Sequence, residues 1–194
     1  MDKKLSEMSN KELWRLFPIV LEEHKSEWVN WYENEEKLIY EIVGKDNIVR
    51  ISHIGSTSVK GLLAKPTVDI LLEIADGFNV DELISKLEQN GYILMTEQSR
   101  SPLNLTLVKG YTENGFASRV FHLHIRCYGD WNELYFRDYL RGNSAVAYQY
   151  RNLKIKLKEQ YEHDRDAYTN AKSEFVLKYT DMARREFNSR YKGS

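Results

Sequence analysis

The apolar and polar positions of the chain alternate between two periods. A polar start leads into a short helix, where Ser9 and Glu12 form a capping-box pair and Leu13, Leu16 and Phe17 give an apolar side. Pro18 limits that helix. A stronger helix follows, from His24 to Gly44. Trp28, Trp31, Tyr32, Leu38, Ile39 and Ile42 make one stripe at helical spacing, read as core, and Gly44 is a fitting stop. Ile48–Ile54 and Thr67–Ile74 are predicted strands. The second is apolar apart from Asp69 and Glu73, the pattern of a strand near the centre of a sheet. Asn79 to Asn90 is a predicted helix with Asn79 as cap and Gly91 as stop, and Tyr92–Glu97 is a further strand. Leu103–Val108 and Arg119–Arg126 read as a hairpin beside the first two strands, joined by the polar loop KGYTENGFAS. Asp130–Arg141 is predicted as a helix capped by Asp130 with Glu133 three residues later. Ser144–Tyr161 and Asp166–Tyr191 are predicted as two long helices.

Composition narrows the class without choosing a function. The 194 residues are 42% apolar and 29% charged, ordinary for a soluble globular protein. The chain reads as one domain over 1–194, with a helical extension over 1–22 and C-terminal helices over 143–194 packed on the core. A net charge of −1 provides no general pull toward nucleic acid or anionic membrane, so neither is expected as a partner. Cys127 is the only cysteine, which rules out an intrachain disulfide. No apolar run approaches the ~20 residues that span a bilayer, and MDKKLSEMSNKELW lacks a signal-like apolar core. A cytoplasmic location is expected, and a homodimer is left open.

The candidate chemistry gathers around HIGSTSVKGLLAKPTVDI. Gly55 and Ser56, followed by Thr57 and Ser58, form a small turn at a strand end, where backbone N–H groups and hydroxyls can approach an anion. Asp69 is a carboxylate within a strand otherwise suited to burial, which is costly unless it binds a cation or hydrogen-bonds. In VFHLHIR, His122, His124 and Arg126 alternate with apolar residues and share one strand face. Either histidine can ligate a transition metal or act as a general base near neutral pH. His53, just before the turn, is a further candidate for that cluster. Arg137 and Arg141 lie one helical turn apart. From Arg151 to Lys192 there are eleven Lys or Arg against seven Asp or Glu, usually a solvated face. Lys154, Lys158, Arg165 and Lys172 are the cations there most suited to face a cleft. Tyr161, Tyr168, Phe175 and Tyr179 read as packing.

Gly55-Ser56, a spacer, then Asp69-Ile70 resembles the signature of the nucleotidyltransferase superfamily related to DNA polymerase beta. The longer strings HIGSTSVKGLLAKPTVDI, FHLHIRCYGD, LYFRDYLR and RDAYTNAKSEFV resemble the GrpB family of that superfamily, from about Trp28 to Phe187. The resemblance implies an α+β fold with a nucleotidyltransferase-like central mixed β-sheet, flanked by N-terminal and C-terminal helices. It also implies transfer of a nucleotidyl group from a nucleoside triphosphate to an unknown small-molecule or protein acceptor, with a divalent metal, Mg²⁺ or Mn²⁺. Asp69, His122 and His124 are then the catalytic candidates, and Asp69, Glu73 and His124 the metal ligands. Gly55, Ser56, Thr57, Ser58, Lys65, Arg126, Arg137 and Lys154 are the phosphate-binding candidates. The superfamily's second carboxylate should lie two residues after the first; Leu71 is there instead, and Glu73 shares that face about 6–7 Å beyond it. That departure supports an alternative, a catalytically reduced module that binds a nucleotide or another phosphate ligand. Fusion of GrpB-like domains to dephospho-coenzyme A kinase in some bacteria associates such a module with coenzyme A or nucleotide metabolism. A third reading, a hydrolytic metal site of His53, His122, His124 and Asp69, lacks the spacing of a compact zinc motif.

Overall fold

The computed structural model describes residues 3–75, 77–188 and 190–192. Five strands build one mixed sheet: β1 (Ile48–Ile54), β2 (Val68–Ile74), β3 (Ile93–Arg100), β4 (Leu103–Thr112) and β5 (Gly115–Cys127), in the spatial order β1-β2-β5-β4-β3. Every neighbouring pair is antiparallel except β2 and β5, which run parallel. β2, the strand predicted to lie near the centre, is an interior strand paired with the central β5. Both hairpin strands run into the stretch read as a loop, and the turn itself narrows to the residues around Asn114.

One sheet face carries the main core. Val68, Ile70, Leu72 and Ile74 of β2 and Phe121, Leu123 and Ile125 of β5 pack under α2 (Glu27–Val43) and α3 (Val80–Glu88). Trp28 and Ile39 of the predicted aromatic stripe are fully buried there, and Trp31, Tyr32 and Ile42 pack against that core, while Leu38 is half-buried outside it. Asn79 caps α3 by accepting from the amides of Asp81 and Glu82. The N-terminal α1 (Asn10–Leu16) has the expected Ser9–Glu12 capping box.

The second face is divided along β2. At its far end α4 (Asn132–Gly142) places Leu134 on Leu71 and Ile54, while the Asp69 end stays open to a cleft. Beyond α4 come α5 (Ser144–Tyr161), α6 (Arg165–Asn170) and α7 (Ser173–Phe187). The expected helix over 166–191 is therefore two, broken at Ala171 and Lys172. The expected cap of α4 is also corrected. Trp131 occupies the cap position without a side-chain bond. Asp130 instead accepts from Tyr135 Oη and Arg184 Nη1, each at 2.6 Å, because α7 packs along α4 and brings a guanidinium to it.

Glu73 is fully buried and paired with Arg50 of β1. Its Oε1 accepts from Arg50 Nη2 at 2.7 Å and from the Gly129 amide at 2.9 Å, tying β1 and β2 to the chain that leaves β5. Arg50→Met should strand this carboxylate and cost about 3–5 kcal/mol in urea unfolding, whereas Arg50→Met combined with Glu73→Leu should recover most of the loss.

Candidate functional site

The parallel register aligns Asp69 of β2 with His122 of β5, and His124 lies two residues further on the same face. Asp69 Oδ1 is 3.2 Å from His122 Nδ1 and 3.5 Å from His124 Nε2. One ligand atom from each residue falls within 4.8 Å of the others, and all three side chains are half-buried. Strand β4 holds both imidazoles from behind. Tyr111 Oη is 2.8 Å from His122 Nε2, and Thr106 Oγ1 is 3.4 Å from His124 Nδ1. A bulge at Gly110, where φ is +90°, turns Tyr111 to this position. Burial opposes the charge of Asp69, but hydrogen bonds from His122 and His124 outweigh it and hold the carboxyl well below the usual carboxylate range. Burial pushes His122 down against the pull of Asp69.

Beside Asp69 the chain turns at Gly55. Its φ of +69° suits glycine, and a Cβ there would overlap the Asp69 carboxylate. Ser56 follows in a tight turn, and its Oγ accepts from Lys154 Nζ at 3.1 Å; Lys154 also donates to the Leu63 carbonyl. Gly55, Ser56, Asp69 and His122 line a cleft of about 990 Å³, bordered by α1, α5 and α6. Lys65, Lys154, Arg165 and Lys172 also line it. Aromatic faces hold these cations without neutralising them. Lys172 Nζ is 4.4 Å and Lys65 Nζ 5.9 Å from the Tyr168 ring centre, and Lys154 Nζ is 4.7 Å from that of Tyr150. Arg165 donates to Tyr111 Oη at 2.8 Å. Among the described residues none of the four forms an ion pair; of the two carboxylates that line the cleft, Asp69 bonds the histidines, and Asp166 is exposed and pairs with none of them. Burial and mutual repulsion push Lys65 and Lys154 down to about 7, and burial pushes Lys172 down to about 8. Buried Tyr168 has a hydroxyl with no hydrogen-bond partner.

Other expected site residues lie elsewhere. Glu73 is in its ion pair with Arg50 and not in the Asp69 cluster. Arg126, at the other end of β5, donates to the carbonyls of Leu105 and Ile125. Arg137 buttresses the turn from behind, donating to the His53 carbonyl at 3.2 Å and pairing with Asp138. Arg141 does the same through the Ser58 carbonyl. Thr57 is buried, with Oγ1 donating to the Thr67 carbonyl at 3.1 Å, and Ser58 Oγ is turned onto Gly55 O. His53 is bonded to Thr57 and stacked on Tyr32, and burial pushes it down to about 4; it does not join Asp69. Tyr111, inside the stretch read as a loop, and Tyr168, read as packing, both border the cleft.

Gly55→Ala should destabilise the protein by about 2 kcal/mol or more in urea unfolding, through the positive φ and the overlap with Asp69. It should also displace the Asp69 carboxylate in a crystal structure of the variant.

The arrangement has relatives. The GrpB protein family model matches residues 18–182. The Glutamate-rich protein GrpB of Alkalihalophilus pseudofirmus is 32% identical over 161 residues, covering 81% of this chain and 91% of that protein. The crystal structure of the conserved protein GrpB from Enterococcus faecalis superposes with a TM-score of 0.75 at 32% identity, covering 87% of this chain and 99% of that one. At 13% identity and a TM-score of 0.50, a chain of the GLD-2/RNP-8 complex shares the fold alone, over 91% of this chain and 65% of its own. With the family model spanning most of its length and relatives of 32% identity covered almost end to end, this chain belongs to the GrpB family.

Proposed function

We propose that the cleft binds a nucleoside triphosphate and transfers its nucleotidyl group to a small-molecule or protein acceptor. The observation that carries this reading is the convergence of Lys65, Lys154, Arg165 and Lys172 on one cleft, none of them in an ion pair among the described residues. Lys154 is buried and Lys65, Arg165 and Lys172 are half-buried; desolvated cations left unpaired are costly, and a polyphosphate is the ligand class that offsets such a cost. The Ser56 hydroxyl and the orphaned Tyr168 hydroxyl add hydrogen-bonding capacity at its margin. An acceptor oxygen or nitrogen would attack the α-phosphorus, pyrophosphate would leave, and the four cations would stabilise the charge gathering on the leaving group. The pair of carboxylates that superfamily chemistry uses for two magnesium ions does not fit here. Leu71 is fully buried beneath Leu134, and Glu73 is committed to Arg50. Asp69, His122 and His124 would hold one divalent cation. Bound there, it would neutralise phosphate charge and lower the pKa of an acceptor hydroxyl. Both ring nitrogens of His122 are engaged, by Asp69 and Tyr111, which supports holding over proton transfer.

The burial of Leu71 favours a second reading, a module of the same fold that binds a nucleotide or coenzyme A-like phosphate ligand without turnover. The two readings separate on turnover. Pyrophosphate release that needs a divalent cation and is lost in Asp69→Ala supports transfer. Saturable triphosphate or coenzyme A binding in EDTA, with no release across an acceptor screen, supports the module.

Both readings predict that Lys172→Ala leaves the ligand-free protein as stable or more stable, since it removes a desolvated cation that repels Lys65 and Lys154. It should nevertheless weaken triphosphate binding by about tenfold, or ~1.4 kcal/mol, in calorimetric titration. The pH dependence follows from the lysines. The unfolded chain keeps their protons up to the ordinary 10.5, while the fold releases them near 7 to 8. The unfolded state binds more protons between those values, so ligand-free stability should rise with pH across that window. A bound polyphosphate favours the charged amines. Its binding at pH 8 should therefore take up protons, seen as an enthalpy that varies with the ionisation heat of the buffer, and its affinity should fall as pH rises toward 9.

A further inference from the structure

The mismatch between the carboxylate pair of the superfamily signature and the residues actually present carries its own consequence. We propose that Asp69, His122 and His124 form a mononuclear transition-metal site, one that takes a cation of the Mn²⁺, Fe²⁺, Co²⁺ or Zn²⁺ class in preference to Mg²⁺. The inference deepens the cation role in the reading above and does not depend on nucleotidyl transfer.

Four observations carry it. The first is spacing. Ligand bonds of about 2.0–2.2 Å place neighbouring donors about 2.8–3.6 Å apart around a cation, from octahedral to tetrahedral angles. The two imidazole nitrogens lie 3.2 and 3.5 Å from Asp69 Oδ1, within that range, and the three donors all fall within 4.8 Å of one another. The second is donor type. Two nitrogens and one carboxylate suit first-row transition metals, whereas Mg²⁺ prefers an all-oxygen shell. The third is support. Tyr111 and Thr106 engage the outer nitrogens of His122 and His124, which leaves the inner nitrogens aimed at Asp69. Tyr111 Oη already accepts from Arg165 and has a second lone pair for His122 Nε2–H, so His122 can present an unprotonated Nδ1. The fourth is openness. His53 is held by Thr57 and Glu73 by Arg50, so neither closes the shell. Three protein ligands beside an accessible cleft leave positions for a phosphate oxygen or water, the arrangement of catalytic and not structural metal sites.

The test uses the full chain stripped of metal, titrated with Co²⁺ by visible absorption and with Zn²⁺, Mn²⁺ and Mg²⁺ by calorimetry. One equivalent of Co²⁺ should bind with d–d absorption, and Mg²⁺ in thousand-fold excess should not displace it. Tyr111→Phe should weaken Co²⁺ by about tenfold. His122→Ala and His124→Ala should each weaken it further, and His163→Ala, an exposed histidine elsewhere, should leave it unchanged. Thermal melts show which variants fold. His124→Asp, which restores an oxygen donor, should narrow the gap between Co²⁺ and Mg²⁺. Absence of Co²⁺ binding, displacement by comparable Mg²⁺, or binding indifferent to both His122→Ala and His124→Ala would overturn the proposal. A triphosphate titration in EDTA separates the two ideas. Triphosphate binding without Co²⁺ binding removes the metal site alone, and Co²⁺ binding without triphosphate binding removes the polyphosphate reading alone.

Discussion

The parallel pairing of β2 with β5 is the constraint on which the rest of the site depends. These strands are distant in sequence and adjacent at the centre of the sheet, and their register aligns Asp69 with His122. Because side chains alternate along a strand, the same register sends Ile70, Leu72, Leu123 and Ile125 into the main core. A slip of one residue would move the site residues into the core and the core residues into the cleft. Hydrophobic burial on one face therefore fixes the geometry of polar chemistry on the other.

The second face is divided by packing. Where α4 covers β2, Leu71 meets Leu134, and a carboxylate beyond it survives only as the partner of Arg50. Where α4 stops, Asp69 opens onto the cleft. The Gly55 turn sits against Asp69 without a side chain between them, and Arg137 and Arg141 brace that turn through backbone carbonyls. Those two arginines thus act on the shape of the site and not on its ligand. The charges that do face the cleft come from the segment leading into β2, from α5 and α6, and from the break after α6, on aromatic supports that leave them unneutralised.

Much of this was legible in the residues. The helical stripe with Trp28 and Ile39, the apolar run around Asp69, and the alternation of His122 and His124 each reflect a period that a single element imposes on its own sequence. Gly55-Ser56 was legible because a tight turn makes a local backbone demand. The roles of Glu73, Arg126 and Arg137 were not. A carboxylate or guanidinium looks the same in sequence whether its partner is a ligand or a neighbour 21 to 84 residues away, as Arg50, Leu105 O and His53 O are here. The helix break at Ala171 and Lys172 was hidden for a related reason, since no glycine or proline marks it.

By itself, the sequence determined the elements, the family, and the residue types able to do chemistry, because periodicity, turn preference and motif spacing are properties of neighbouring residues. The tertiary structure decided which of those residues share a site. Desolvation, ion pairing and metal-ligand distance depend on what packs against a side chain, and strand register and helix placement settle that only once the chain has folded.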